Sequence, residues 1–248
     1  MENYLSNYDN YDTICVYDFN LGDGGIGDCI KFFMIALEIC MKNNRRLYYK
    51  RNSIEIESYI QLTHDKMYID DVEIKRLESV QIITPGDLYG MVSYDYSIAI
   101  NDVFYFTNEV KANRGVLFSD VDTDYISIHV RLGDKHLETD EHFIWCKHDV
   151  RYFDEEALHK FIEEHNNERI FFCCDNNTYK HKLISKYNNI ITVNSDIGHT
   201  SLSNTTKRQV LDAVTEFYIL TDSKLIFSAS ESGFSIVASK FNNIPFYR

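Results

Sequence analysis

The sequence contains little proline and glycine, and its cysteines form no recognisable set. Only 2 of the 248 residues are proline and 10 are glycine, so a cluster of glycines marks backbone that needs special geometry. The 6 cysteines show neither a CxxC pair nor zinc-ligand spacing, and several lie within apolar runs. We therefore expect reduced thiols rather than a disulfide or zinc framework.

Membrane and targeting features are also missing. Residues 1–12 are acidic and polar, and no apolar run in the chain is long enough to span a bilayer. We expect a protein without a transmembrane segment, located in the cytoplasm. The few prolines and many asparagine, isoleucine, tyrosine and lysine residues are compatible with an AT-rich coding genome, such as that of a virus or a bacterium.

Positive charge is scarce. The chain has 25 Lys and Arg against 38 Asp and Glu, which gives a formal net charge of −13. This balance disfavours nucleic acids and anionic membranes as partners, because both are bound through surplus basic side chains. It still permits one small anionic ligand, since a single arginine or a helix N-terminus can hold a phosphate.

The chain does contain alternating apolar strands and amphipathic helices, which predict an α/β fold. Near the N-terminus, a strand at 13–17 precedes a glycine-rich turn at 22–27, a helix at 28–41 and a strand at 46–49. Between residues 53 and 118, short β-branched and aromatic runs indicate strands and loops with little helix.

The C-terminal half alternates regularly between strands and helices. These elements are predicted in turn at 125–130, 154–165, 169–174, 177–187, 190–193, 206–221, 225–228 and 233–240. Such alternation predicts a parallel sheet with crossover helices. Ligands of such sheets bind beyond the carboxyl ends of the strands, at helix N-termini.

The loops that follow four of the strands contain unusual polar residues. In the first, residues 22–28, the glycines allow the backbone to approach a ligand, although an ordinary tight turn explains them equally well. Neither a Walker A lysine nor the dinucleotide-binding glycine spacing is present. In the second, His129 and Arg131 end a buried strand, and the arginine fork suits a diphosphate. A structural pair between Arg131 and Asp134 is the alternative, while Gly133 suggests close backbone approach.

The other two loops have equally open interpretations. Asp175 ends the third strand, where its carboxylate can accept hydrogen bonds from a guanine edge or a ribose, or can cap the next helix. Ser230, Ser232 and Gly233 precede the last helix. Their hydroxyls and the helix N-terminus can form a phosphate cradle, although serines also cap helices routinely.

Four segments resemble fucosyltransferases. Residues 129–134 read His-Val-Arg-Leu-Gly-Asp, which is similar to the His-x-Arg-x-Gly-Asp motif of α1,2-fucosyltransferases and to the arginine motif of the α1,6- and protein O-fucosyltransferases. Residues 24–28 are similar to the Gly-Gly-Leu-Gly-Asn segment of those enzymes, residues 171–175 to their apolar strand ending in Asp, and residues 225–239 to their last motif. The order and approximate spacing of the four segments agree.

The resemblance implies a GT-B-like fold with two Rossmann-like lobes. Residues 1–118 would form a reduced N-terminal lobe on the acceptor side, and residues 119–248 the C-terminal lobe that binds the nucleotide sugar. The expected function is an inverting glycosyltransferase that moves fucose from GDP-fucose to a glycan or glycoconjugate. Such enzymes need no metal, because an arginine supplies the charge that a cation supplies elsewhere.

The resemblance also assigns roles to residues. Arg131 would hold the β-phosphate and stabilise the departing diphosphate, while His129 and Asp175 would contact the guanine or the ribose. The residues expected to surround the phosphates are Ser230, Ser232, Gly233 and Phe234 from the last motif and Gly24, Gly25 and Gly27 from the other lobe. Three carboxylates near these loops are candidates for the catalytic base, namely Asp23, Glu138 and Asp140.

Two positions depart from the relatives, since Asp28 replaces a frequent Asn and Leu132 a frequent second Arg. The alternatives are therefore a GT-B transferase of another nucleotide sugar, such as one of rhamnose, and a non-catalytic module that binds a nucleotide or glycan. The run Asp122-Thr123-Asp124 matches the metal motif of GT-A enzymes only superficially, because it precedes a strand. His142, Cys146 and His148 lack a fourth ligand and are not expected to bind metal.

Overall fold

The computed structural model describes residues 1–90, 98–118, 124–137, 140, 144, 146 and 148–248. The strands are β1 Ile14–Tyr17, β2 Arg46–Lys50, β3 Ile60–Leu62, β4 Tyr68–Ile69, β5 Val80–Ile83, β6 Phe104–Phe106, β7 Ile126–Val130, β8 Ile170–Cys174, β9 Ile190–Ile191, β10 Ile226–Ser228 and β11 Phe246–Tyr247. The α-helices are α1 Glu2–Ser6, α2 Ile26–Lys42, α3 Asp71–Ile74, α4 Pro85–Leu88, α5 Asn108–Leu117, α6 Glu155–Glu164, α7 Asn177–Lys186, α8 Lys207–Thr221 and α9 Gly233–Phe241. Among the described residues, no helix combines the length and apolarity needed to cross a membrane.

The first sheet has four parallel strands in the order β4-β2-β1-β5. Its central strand β1 is buried, with Tyr17 opposite Tyr49 of β2 and Ile83 of β5. The predicted helix after the glycine-rich turn forms as α2, which buries Phe33 and Leu37 against this sheet. A strand, turn, helix and strand therefore follow one another as the apolar periodicity predicts.

The region between residues 53 and 118 differs from the expectation of little helix. Its strands β3 and β6 pair antiparallel in a ribbon, and residues 108–117 form the helix α5. The sequence of this helix is mostly polar and lacks an apolar stripe, and only Val110 and Asn113 are buried. Residues 55–58 form a 3₁₀ turn, and the strand β3 follows it at Ile60.

The second sheet has five parallel strands in the order β11-β10-β7-β8-β9, which confirms the predicted parallel sheet of the C-terminal half. Side chains of β8 alternate between two cores. Phe171 and Cys173 pack on the side of α8 and α9, while Phe172 and Cys174 pack on the side of α6 and α7. Helices therefore cover both faces, as a buried parallel sheet requires.

One of these two cores, the one that contains Phe171 and Cys173, is shared by both sheets. The ring of Phe106, in the ribbon, lies 4.8 Å from that of Phe241 in α9 and 6.1 Å from that of Phe217 in α8. Helix α5 also packs on α8, where the Asn113 amide donates hydrogen bonds to Asp212 (3.1 Å) and Thr215 (2.9 Å). The predicted lobe boundary between 118 and 119 follows α5 and stays a prediction.

The two halves approach each other closely at the N-termini of α2 and α9. A Cβ atom on Gly27 would lie 2.9 Å from the carbonyl carbon and oxygen of Gly233 and 3.0 Å from the Phe234 nitrogen. Real Cβ atoms do not come this close to backbone, so only glycine allows the two helices to meet here.

We predict that Gly27→Ala lowers the free energy of unfolding by about 1–3 kcal/mol, because the new methyl group forces the two helix ends apart. Gly115→Ala is the matched control, since a Cβ at Gly115 in α5 meets nothing within 4 Å. That control should be neutral or stabilising by about 0.5–1 kcal/mol, as expected of an exposed helix glycine. Urea denaturation measures both, and equal effects of the two substitutions would contradict the close approach.

Candidate functional site

A cavity of about 420 Å³ lies at the carboxyl edge of the second sheet and faces the start of α2. It is the position at which ligands of parallel sheets bind. Most of the residues predicted from the sequence line it, namely Gly25, Gly27, His129, Arg131, Asp175, Ser232, Gly233 and Phe234. Residues from both sheets' loops therefore contribute to one site.

Two helix N-termini meet in this cavity. Helix α2 begins after Gly25, which has no side chain to cap the first N–H groups, and α9 begins after Ser232. Gly27 brings the two ends together through its contact with Gly233. Each helix end carries partial positive charge and unpaired N–H donors, so the pair favours an anion with more than one charged group.

Arg131 extends from the end of β7 to the same cavity, with 24% of its side chain exposed. Its guanidinium group forms ion pairs with Asp134 and with Asp175, at 3.3 Å from the latter. Its backbone N–H donates to the Ser230 hydroxyl at 2.6 Å. The structural pair with Asp134 is thus present, and it holds the arginine at the cavity wall rather than away from it.

Asp175 organises the loop that carries Arg131. Its carboxylate accepts hydrogen bonds from the N–H groups of Leu132 (2.8 Å) and Gly133 (3.1 Å). Burial raises the pKa of this carboxyl, and the Arg131 charge opposes the rise. The alternative that Asp175 caps the next helix is wrong, because the cap of α7 is Asn176, which accepts from the Tyr179 N–H at 2.7 Å.

His129 forms part of the cavity floor as a neutral ring. It is buried and stacks on Phe234 with 5.3 Å between ring centroids. Burial lowers its pKa to about 3, and the charges of Arg131 and Lys180 act in the same direction. Its Nδ1 atom is buried without a hydrogen-bond partner among the described residues. His129 therefore adds no positive charge to the cavity lining.

In the serine loop, which joins β10 to α9, Ser230 and Ser232 have different roles. Ser232 caps α9 by accepting from the Phe234 N–H at 3.3 Å, so the helix-cap interpretation is confirmed for this residue. Ser230 is buried and fixes the Arg131 backbone. At Gly133, where φ is 97°, a Cβ would lie 2.6 Å from the Asp149 carbonyl oxygen, so the expected close approach is made by protein backbone.

Other predicted residues lie outside the cavity lining. Asp23 stays within its turn, where its carboxylate accepts from the Asn20 N–H at 2.7 Å, and Gly24 has a φ of 140° beside it. Asp140 is exposed and is not part of the lining. Glu138 is outside the described residues, so the choice of base stays a prediction. Asp122, Thr123 and His142 belong to the two patterns that are not expected to bind metal, and these three residues also lie outside the described residues.

One wall of the cavity was not predicted from the sequence. Residues 195–200, in the loop after β9, line it between the two helix ends, and the Thr200 hydroxyl lies 3.4 Å from where a Gly25 Cβ would be. This loop also follows a parallel strand, so the rule that identified the other four loops applied to it. Lys31 and Arg151 add two further cations to the lining.

Asp196 differs from the other described carboxylates in the lining. Asp28 pairs with Lys31 (3.0 Å), Glu231 with Arg248 (3.1 Å) and Asp175 with Arg131. Glu216 pairs with Lys180. By contrast, the exposed Asp196 carboxylate has no partner among the described residues, so both of its oxygens can accept hydrogen bonds from a ligand.

A buried ion pair holds the first residues of the 195–200 wall in place. The Lys180 side chain is fully buried and pairs with Glu216, which itself lines the cavity. Lys180 also donates to the Val193 carbonyl (3.1 Å) and the Ser195 hydroxyl (3.2 Å), and Ser195 donates to Glu216 at 2.9 Å. These bonds fix the start of the loop that presents Asp196.

Comparisons with known proteins concern the fold. No protein-family model matches the chain, and no curated protein matches it in sequence. Among solved structures, it is similar to the α-1,6-fucosyltransferase NodZ co-crystallised with GDP, with a TM-score of 0.63 and 14% identity over 92% of each chain. A Bradyrhizobium NodZ structure matches with a TM-score of 0.60.

Two further fucosyltransferases share the fold. An Arabidopsis thaliana FUT1 mutant in complex with GDP has a TM-score of 0.58 at 12% identity, over 99% of this chain and 74% of that one. POFUT1 in complex with GDP has a TM-score of 0.54 at 11% identity, over 94% and 97% of the two chains. The chain therefore has the GT-B-like α/β fold that the motif resemblance predicted.

We predict that Lys180→Met lowers the free energy of unfolding by about 3–5 kcal/mol, because Glu216 then keeps a buried charge without a partner. Adding Glu216→Leu should recover part of this loss, since the orphaned charge is removed. Lys160→Met is the control, because Lys160 and Glu164 form an exposed pair at 3.9 Å that contributes little. Chemical denaturation of the four proteins tests this, and a single-variant loss equal to the control's would contradict it.

Proposed function

We propose that this chain is a glycosyltransferase that uses a nucleoside diphosphate sugar, most specifically GDP-fucose, and transfers the sugar to a glycan or glycoconjugate. The observation that carries the proposal is the meeting of two helix N-termini and the Arg131 guanidinium in one cavity. The solved structures that share the fold include complexes with GDP, which supports the same ligand class here.

In the proposed reaction, the diphosphate is the leaving group. An acceptor hydroxyl attacks the anomeric carbon of the sugar, and the bond from that carbon to the β-phosphate oxygen breaks with its electron pair on the oxygen. Arg131 and the N–H groups of α2 and α9 stabilise the charge that develops there. Because the attack comes from the face opposite the diphosphate, the anomeric configuration inverts.

We further propose that no metal ion takes part. Arg131 and the two helix ends supply fixed positive charge in the cavity, as a metal ion does in GT-A enzymes. Asp134 and Asp175 keep the guanidinium in position before the ligand arrives, so little reorganisation accompanies the reaction.

The acceptor hydroxyl must also lose its proton to a base. Asp23, Glu138 and Asp140 are the candidates from the sequence, and Asp28 is added because its carboxylate lines the cavity beside the α2 N-terminus. Asp28 forms an ion pair with Lys31 at 3.0 Å, which holds its carboxylate in the lining.

Guanine selectivity is proposed to come from Asp196. Guanine presents two neighbouring donors, the N1–H and the 2-amino group, whereas uracil presents one N–H. A carboxylate accepts both guanine bonds at once. Asp175, assigned to the base or ribose by the resemblance, uses its oxygens on Leu132 and Gly133, which leaves Asp196 better placed for this role.

We predict that GDP raises the melting temperature by about 5–10 °C at 100 times its Kd, while UDP has a much smaller effect. Asp196→Asn should weaken GDP binding at least about tenfold and leave UDP unchanged, because the amide cannot accept both guanine donors. Asp102→Asn, at an exposed carboxylate away from the lining, is the control. Thermal shift and titration calorimetry give both quantities. Stabilisation by no nucleoside diphosphate would overturn the proposed donor site.

We predict that Arg131→Lys lowers kcat with GDP-fucose about 10²–10³-fold, since lysine keeps the charge but loses the bidentate fork. Lysine is preferable to alanine here, because alanine would leave Asp134 and Asp175 without a counter-charge. The melting temperature should stay close to that of the unsubstituted protein. Initial rates with a radiolabelled donor measure the loss, and full activity would refute the role of Arg131. GDP binding without any turnover would instead indicate a nucleotide-binding module.

A further inference from the structure

The end of the 195–200 wall lies against the glycine-rich turn that precedes α2. The Ser201 hydroxyl, one residue beyond the wall, donates a hydrogen bond to the Gly24 carbonyl. The Thr200 hydroxyl is 3.4 Å from the Cβ position of the residue that caps α2. These contacts place His199, the preceding residue, beside the N-terminus of α2, where its ring lines the cavity.

His199 also lies beside the loop that carries Arg131. Its Nε2 atom is 3.9 Å from the Oδ2 atom of Asp134, and Arg131 pairs with the other oxygen of that carboxylate. The Asp134 side chain is buried, whereas the His199 side chain is 18% exposed and lines the cavity. The imidazole and the guanidinium thus lie beside one buried carboxylate, at the place that the proposed function assigns to the diphosphate.

A hydrogen bond to the ring determines its tautomer. The Ser201 N–H donates to Nδ1 at 3.3 Å, so Nδ1 holds a lone pair and the neutral ring carries its proton on Nε2. The His199 carbonyl accepts from the Leu202 N–H (3.0 Å) and the Thr205 hydroxyl (2.6 Å), which fixes the backbone. In this tautomer Nε2 is a donor that faces Asp134, and it cannot act as the base for the acceptor hydroxyl.

The surroundings of His199 keep the ring neutral. Burial lowers its pKa, and the Arg131 charge acts in the same direction. The carboxylates of Asp134, Asp149 and Asp28 oppose this effect without reversing it. A neutral donor is less costly to bury than a charged one, and its hydrogen bond to an anion is still charge-assisted.

We propose that His199 is a further ligand of the diphosphate and that its Nε2–H donates a hydrogen bond to an oxygen of the β-phosphate. The inference rests on the proposed function, because it uses the donor site formed by Arg131 and the two helix ends. Negative charge grows on the β-phosphate as its bond to the sugar breaks, so the Nε2–H donor stabilises the leaving group together with Arg131.

The test compares GDP with GMP, which lacks the β-phosphate, by titration calorimetry. His199→Leu should weaken GDP binding about tenfold and leave GMP binding within about twofold, because one charge-assisted hydrogen bond to the β-phosphate is lost. His199→Gln should stay within about threefold for GDP, since its amide nitrogen can donate in place of Nε2. His181→Leu, at an exposed position of α7 outside the cavity lining, is the matched control and should change neither affinity.

A second measurement uses the unsubstituted protein and does not depend on how well a variant folds. Long-range proton–nitrogen NMR of the imidazole rings shows which nitrogen holds the proton, and the His199 signals are those absent from the spectrum of His199→Gln. We expect a proton on Nε2 alone, both before and after GDP is added. The resonance of that proton should move on addition of GDP and stay in place on addition of GMP.

The outcomes separate this inference from the proposed function. If GDP binds equally well to His199→Leu, or if GDP and GMP weaken equally, His199 is not a β-phosphate ligand and the donor site stands. A ring that is protonated on Nδ1 in the GDP complex, or an Nε2–H resonance that GDP leaves unmoved, would also overturn the inference. So would a loss of kcat in His199→Gln at unchanged Kd for GDP, which would make His199 the base. Failure of GDP to bind the unsubstituted protein would instead remove the proposed function.

Discussion

The contact between Gly27 and Gly233 brings the N-termini of α2 and α9 together, and the arrangement of the site depends on it. Each helix belongs to a different sheet, so the contact also joins the two halves of the molecule across their shared core. Placed side by side, the two ends provide a set of N–H donors in a fixed position, and the glycine sequence is what allows this spacing.

Around this contact, the protein uses buried charge to hold its loops. Arg131 is fixed by Asp134 and Asp175, and the opposite wall is fixed by Lys180 and Glu216. Buried pairs of this kind contribute little net stability, because desolvation offsets the attraction. These pairs hold the loops in position, and among the described carboxylates of the lining Asp196 is the one without an ion-pair partner.

Much of the fold and part of the site were predictable from the sequence. Strands and helices with strong apolar periodicity, such as β1, α2 and the C-terminal alternation, appear where predicted, and the rule on strand ends located Arg131, His129 and the last serine loop. Helix α5 was missed because only two of its side chains are buried and it carries no apolar stripe. The loop at 195–200 follows the parallel strand β9, so the same rule could have located it. The partners of Asp175 are distant in sequence, and local pattern does not encode such contacts.

We propose that a diphosphate is held by two helix ends and an arginine without a metal. Titration calorimetry of GDP, GMP and guanosine, each with EDTA and with added Mg²⁺, tests it most directly. Removal of the β-phosphate should weaken binding at least about tenfold, because charge-assisted hydrogen bonds are lost, and EDTA should change nothing. Equal affinity for GDP and GMP, or GDP binding that requires Mg²⁺, would contradict it.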